Sequence, residues 1–110
     1  MGLNEKFFRS ADEEAEPFFN TVIWDGNNST DRDITGVGFQ PDLVWIKKRQ
    51  NDTKAHRLCD VVGGANKIIH SSEAIAERSP TNEIKDFITD GFTIGNAAAV
   101  NDAGAGDTYV

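Results

Sequence analysis

The sequence predicts an all-β domain, an antiparallel β-sandwich, on three observations. Ile and Val number 9 and 7 against 3 Leu, and with 8 Thr this composition suits a pleated surface better than a helix. Short apolar stretches recur at close spacing, punctuated by Gly, Asp and Asn, which is the pattern of a sandwich or barrel rather than of βαβ units. Leu, Ile, Val and Phe together make 26 of the 110 residues, above the roughly 20% below which acidic chains tend to stay disordered.

Residues 1–17 stand apart as an acidic N-terminal arm. Ser10-Ala11-Asp12-Glu13 has the capping-box form, and Glu14-Ala15-Glu16 extends it by a helical turn or two before Pro17 stops it. Phe7 and Phe8 are placed either to pack back on the domain or to dock on a neighbour, a frayed terminus being the plain alternative. The domain proper is residues 18–110. From Phe18 to Trp24 the chain alternates as a strand does, and Asp25-Gly26-Asn27-Asn28 then supplies turn chemistry. Residues 34–39 and 43–48 form two further predicted strands, split at Gln40-Pro41-Asp42 because Pro41 has no N–H for a ladder. Leu43, Val44, Trp45 and Ile46 are apolar on both faces, which predicts a central strand with Trp45 in the core. Residues 57–62 and 67–70 flank Gly63-Gly64-Ala65-Asn66 as a hairpin turn. Asp90-Gly91 is predicted to close a second hairpin through a type I′ turn with positive φ. Residues 72–78 read as either a short helix or an exposed loop, and residues 96–107 as a long mobile loop.

Composition and charge exclude several functions. The longest strictly apolar runs are four residues, far short of the ~18 of a membrane span. The first residues carry no basic stretch and apolar run of a secretory signal, and Lys6 stands where a myristoylation signal has Ser or Thr; a soluble, unanchored chain with no signal peptide is expected. A net charge of −7 argues against a general nucleic-acid binder. Lys47, Lys48, Arg49, Lys54 and Arg57 do form a basic stretch, but it reads as a solvated strand end and loop.

No catalytic residue, cofactor or metal site is predicted. His56, Cys59 and His70 lack the fourth ligand of structural zinc, and the lone Cys59 reads as a small buried hydrophobe. Gly63-Gly64-Ala65-Asn66-Lys67 lacks the Gly-Lys-Ser/Thr ending of a phosphate loop. The acidic stretch from Asn101-Asp102 to Asp107 lacks a calcium-ligand pattern and reads as a flexible loop. Sequence alone picks no carboxylate pair for glycoside hydrolysis. For ligand binding the weak candidates are Trp24, Asp25 and Asn27, because an indole beside a turn offers an exposed stacking platform for a sugar.

One resemblance goes further. The segment Ile34-Thr35-Gly36-Val37-Gly38-Phe39-Gln40-Pro41-Asp42-Leu43-Val44-Trp45-Ile46-Lys47 resembles a domain of uncharacterised function that recurs in tail-fibre and other virion structural proteins of tailed bacteriophages. Leu58 to Lys67, Asp90 to Gly95, and Asn101 and Gly106 leading into Thr108-Tyr109-Val110 resemble it in the same order. The resemblance implies a sandwich akin to the concanavalin A-like lectins. It also implies a virion location, with partners that are further copies of the chain or other virion proteins. Two departures stand out: Gly63 replaces an arginine usual in that family, and the family's Ala-Trp-rich strand beyond the Tyr-Val pair does not follow Val110, so the last strand looks truncated. The expected function is therefore a non-enzymatic virion or tail-fibre module acting through protein–protein assembly. A lectin-like binder of host-surface glycan is the alternative, and a glycoside hydrolase a more distant third.

Overall fold

The computed structural model describes residues 18–50, 53–104 and 106–110. The predicted arm, residues 1–17 with its short helix and with Phe7 and Phe8, therefore lies outside the described residues. Among these residues seven strands run in chain order: β1 (Trp24–Asp25), β2 (Arg32–Ile34), β3 (Leu43–Ile46), β4 (Arg57–Asp60), β5 (Ile84–Ile88), β6 (Gly91–Ile94) and β7 (Thr108–Tyr109). A single helical turn, α1 (Ala98–Asn101), precedes β7. Every pairing is antiparallel: β1 with β7, β3 with β4, and β2–β6–β5 as a three-stranded sheet. The all-β class is thus as the composition predicts.

Backbone bonds connect the first two ladders. Lys47 and Val110 exchange both of their backbone hydrogen bonds, at 2.8 and 3.0 Å, and the Arg49 N–H donates to the Thr108 carbonyl at 2.9 Å. β7 consequently lies between β1 on one side and the continuation of β3 on the other. Alternation along β3 continues beyond its end, so Val44, Ile46 and Lys48 all turn inward. The core gathers Trp24, Ile34, Val44, Ile46, Ile68, Ile84, Phe92, Ile94, Val100 and Tyr109 from every sheet. Trp24 sits at its centre, stacked on Tyr109 at 5.8 Å between ring centroids and edge-on to Phe92 at 5.7 Å.

The structure corrects several expectations. The alternation of residues 18–24 yields a strand only at β1; Phe18 and Phe19 are 80% and 81% exposed. The predicted strand over 34–39 ends at Ile34, because Gly36 and Gly38 take φ of 89° and 94° and break the extended backbone. β3 is covered on one face only, so Trp45 is 56% exposed rather than core. Neither Asp90 nor Gly91 has positive φ, so the β5–β6 hairpin is not closed by a type I′ turn. Gly91 matters instead for close approach: a Cβ there would stand 1.8 Å from the Ile34 carbonyl oxygen of β2. Residues 96–107 do not form one long open loop. They include α1, whose Ala99, Val100 and Asn101 are buried. Residues 72–78 carry no helix. The turn at 63–66 stands as predicted, with Leu58 and Ile69 exchanging backbone bonds at 3.0 Å across it and Gly64 and Asn66 at positive φ. Among the described residues no helix is long and apolar enough to cross a membrane.

Candidate functional site

The predicted ligand-binding trio does not form an open platform. Trp24 is 7% exposed, and its indole N–H donates to the Val100 carbonyl at 3.0 Å. Stacked between core rings, it has no free face for a sugar. The Asn27 side-chain oxygen accepts from the Ser29 N–H at 3.0 Å and from Asn101 Nδ2 at 3.2 Å. Asp25 is exposed, and its carbonyl accepts from the Arg32 guanidinium. This corner is held by Asn101, fully buried, whose side chain also accepts from the Asn27 N–H and Arg32 Nη1, both at 3.0 Å, and donates to the Ser29 carbonyl at 3.2 Å. Its hydrogen-bonding capacity goes into fixing the turn after β1.

Polar clusters elsewhere are also engaged. Glu83 is buried between two guanidiniums, with Arg57 Nε at 3.2 Å from Oε2 and Arg78 Nη2 at 2.9 Å from Oε1. Arg78 Nε donates to His70 Nε2 at 3.1 Å, which leaves His70 Nδ1 to donate to the His56 carbonyl at 3.0 Å. Burial, and then the neighbouring Arg57 and Arg78, hold His70 below its ordinary pKa, in keeping with a neutral ring. Burial pushes the Cys59 thiol up, away from the thiolate that nucleophilic or metal chemistry needs. No three His, Cys, Asp or Glu stand close enough to hold a metal ion among the described residues. Lys48, buried, lies 3.2 Å from Asp107 and 3.8 Å from Asp102, so the basic stretch and the acidic loop meet each other. Lys47 Nζ donates to the Lys54 carbonyl at 3.0 Å.

An apolar groove of about 760 Å³ opens between residues 18–24 and β3. Trp24, Val37, Val44 and Phe92 contribute from the buried core, while Phe18, Phe19, Leu43 and Trp45 are the exposed apolar groups along it. Val110 also lines it, and among the described residues Asp42 is the one acid of its lining. Trp45 is held in place by its indole N–H, which donates to His56 Nδ1 at 2.8 Å, with the two rings 5.7 Å apart. The signal for this groove was present in the apolar run from Leu43 to Ile46. Period-2 reasoning cannot say which of its two faces is covered, because both are apolar.

The fold is that of an antiparallel all-β module with an open apolar groove. The chain belongs to a family of domains of unknown function, DUF7483, which matches residues 14–110. No curated protein and no solved structure matches it.

Proposed function

We propose that this chain is a non-enzymatic structural module of a phage-type virion or tail fibre, joined to its neighbours through the apolar groove. The observation that carries this reading is the clustering of exposed Phe18, Phe19, Leu43 and Trp45 along one groove. Contiguous exposed apolar surface of this kind marks interaction sites, whereas scattered apolar residues do not. The sequence resemblance over residues 34–47 supports the virion setting. Glycoside hydrolysis fits less well, since it requires two carboxylates across the substrate and, among the described residues, the groove lining offers Asp42 alone.

The test is made on virions. Antibody against the chain should detect it in purified particles, and a Phe19→Ser/Trp45→Ser double variant, folded by circular dichroism, should be lost from them. Particles that lack the parent chain, or that retain the double variant at parental level, refute the reading. The exposed Trp45 ring favours a second reading, glycan binding, with Trp45 rather than Trp24 as the stacking group. Saturable binding on a glycan array that Trp45→Ala abolishes would support it, and an unaffected array profile would exclude it.

A further inference from the structure

We propose that the pocket bounded by Arg57, His70 and Arg78 binds a small ligand through a carboxylate, which accepts from the guanidinium nitrogens that Glu83 leaves unused. The pocket shares no lining residue with the apolar groove, so this inference goes beyond the assembly reading and stands without it.

Backbone pairing brings three residues, distant in sequence, to one face. Leu58 and Ile69 exchange both backbone bonds at 3.0 Å, so Arg57, one residue earlier on β4, lies across from His70. On the other side of β4, Arg57 pairs with Ile46, which is buried. Ile68 and Arg78 exchange their backbone bonds at 2.8 and 2.9 Å, which sets Arg78 beside Ile68. Residues two apart on an extended segment share a face, so Arg57, His70 and Arg78 lie on the side where Ile46 and Ile68 are buried. Glu83, 4% exposed, reaches both guanidiniums there, and the apolar core ends in this polar group.

Donor accounting carries the inference. Arg57 gives Nε to Glu83 Oε2 at 3.2 Å and Nη1 to the Ala55 carbonyl at 2.6 Å. Arg78 gives Nη2 to Glu83 Oε1 at 2.9 Å and Nε to His70 Nε2 at 3.1 Å. A guanidinium spreads its donors over three nitrogens. Among the described residues Arg57 Nη2 and Arg78 Nη1 therefore have no hydrogen-bond partner. Neither is sealed in, since the unpaired side-chain atom that is sealed is Asn66 Oδ1. Two positive charges also meet a single negative one at Glu83, although the Arg57 side chain is only 12% exposed. An anion beside the two unused nitrogens completes both the bonding and the charge.

Size and charge choose among anions. The pocket holds about 310 Å³, at the lower end of the roughly 300–1,000 Å³ of ligand sites, so the ligand is compact. One surplus positive charge matches a monoanion, whereas a phosphate dianion would overbalance it. A carboxylate is planar and accepts parallel N–H bonds, as the Glu83 carboxylate already does from these same two side chains. Ala55 and Ile75 add apolar surface for a short aliphatic body. Lys54 and Glu73, both exposed, also line the pocket and bring opposite charges to it. His70 faces Arg57, Arg78, Glu83 and the His56 carbonyl, with Lys54 and Glu73 in the same lining. A bound carboxylate offsets the two guanidiniums, so His70 should titrate higher when the pocket is filled.

The test titrates the full chain with sodium propionate near neutral pH, ionic strength being held constant with sodium chloride, and follows the His70 ring and the arginine side chains by nuclear magnetic resonance. Saturable shifts at His70, Arg57 and Arg78 are expected, with an upward move of the His70 titration at saturation. Arg78→Lys keeps the charge but loses the planar fork, and should weaken binding about tenfold. Glu73→Lys, at an exposed position, removes a negative charge from the lining and adds a positive one, and should tighten binding about fivefold. Shifts no greater than those of chloride alone would overturn the site, as would a folded Arg78→Lys chain that binds like the parent. Should Arg78→Lys not fold, unchanged affinity in Glu73→Lys refutes the site instead. Inorganic phosphate that binds more tightly than propionate would overturn the carboxylate assignment.

Discussion

Exchanging the expected roles of the two tryptophans makes a sharp prediction about where the stability of this domain resides. Trp24 is 7% exposed and Trp45 56% exposed. A Trp side chain presents roughly 200 Å². With over nine-tenths of it withdrawn from water at ~25 cal/mol per Å², Trp24→Ala forfeits roughly 4–5 kcal/mol, within the range of about 3–5 kcal/mol seen when buried aromatics are truncated. The Val100 carbonyl, which accepts from the Trp24 indole at 3.0 Å, would also lose its partner. The same arithmetic caps Trp45→Ala at roughly 2 kcal/mol, and compactness of the unfolded chain lowers that ceiling further. Urea denaturation followed by far-ultraviolet circular dichroism compares the two without relying on the indoles as probes. Should Trp24→Ala fail to fold, Trp24→Phe keeps most of the ring and isolates the lost hydrogen bond, at about 1–3 kcal/mol. If Trp45→Ala proves the costlier of the two alanine variants, the one-sided burial of β3 is refuted, and the groove with it.

Other perturbations address the remaining supports. Glu83→Gln leaves two guanidiniums facing a neutral amide in a buried setting and should cost about 3 kcal/mol or more by chemical denaturation. Gly91→Ala drives a methyl into the Ile34 carbonyl and should cost about 3 kcal/mol, with amide exchange accelerating first along β2 and β6. The Asp90 carboxylate accepts the Gly36 and Gly38 N–H groups at 2.9 and 2.7 Å, which holds its pKa below 3.8. Its contribution is therefore present above that value and lost as pH falls through the lower folded pKa, and an Asp90→Asn variant should show a weaker acid dependence. His70 is held below 6.5, so the unfolded chain binds the extra proton first and stability falls as pH drops from about 6.5 toward the folded pKa. His70→Gln should flatten that segment of the curve; an unchanged slope would deny His70 its neutral, hydrogen-bonded role.

The elements legible in the sequence were those fixed by local chemistry. Gly63-Gly64-Ala65-Asn66 turns where its residues permit positive φ, and the apolar run at 43–46 forms β3. Expectations failed where a distant segment decides the outcome. Gly36 and Gly38 interrupt a promising alternation because Asp90, 54 and 52 residues away, collects their N–H groups. Asn101 reads as a loop residue, yet its amide organises the turn after β1 across 74 residues of chain. Trp24 looked exposed because turn residues follow it; Tyr109 and Phe92, which enclose it, arrive from the other end of the domain. Glu83 carried no sequence signal, since Arg57 and Arg78 become its partners only through tertiary contact.

The candidate site was only half legible for the same reason: the apolar run from Leu43 to Ile46 was visible in the sequence, but not which of its faces stays uncovered. A catalytic centre concentrates polar side chains of distinctive type, which a sequence can advertise. An apolar groove is made of side-chain types that every core also uses, and its identity lies only in which of them are left uncovered. In this chain the side-chain polar groups with the strongest chemistry, Glu83, Lys48 and Asn101, are spent on holding the fold. The exposed surface left at the groove is apolar, at Phe18, Phe19, Leu43 and Trp45. On the proposed assembly reading, such a surface selects a partner by shape rather than by charge or reaction. If the module serves assembly as proposed, its affinity should depend little on salt, since among the described residues Asp42 and Lys47 are the only charged side chains of the groove lining.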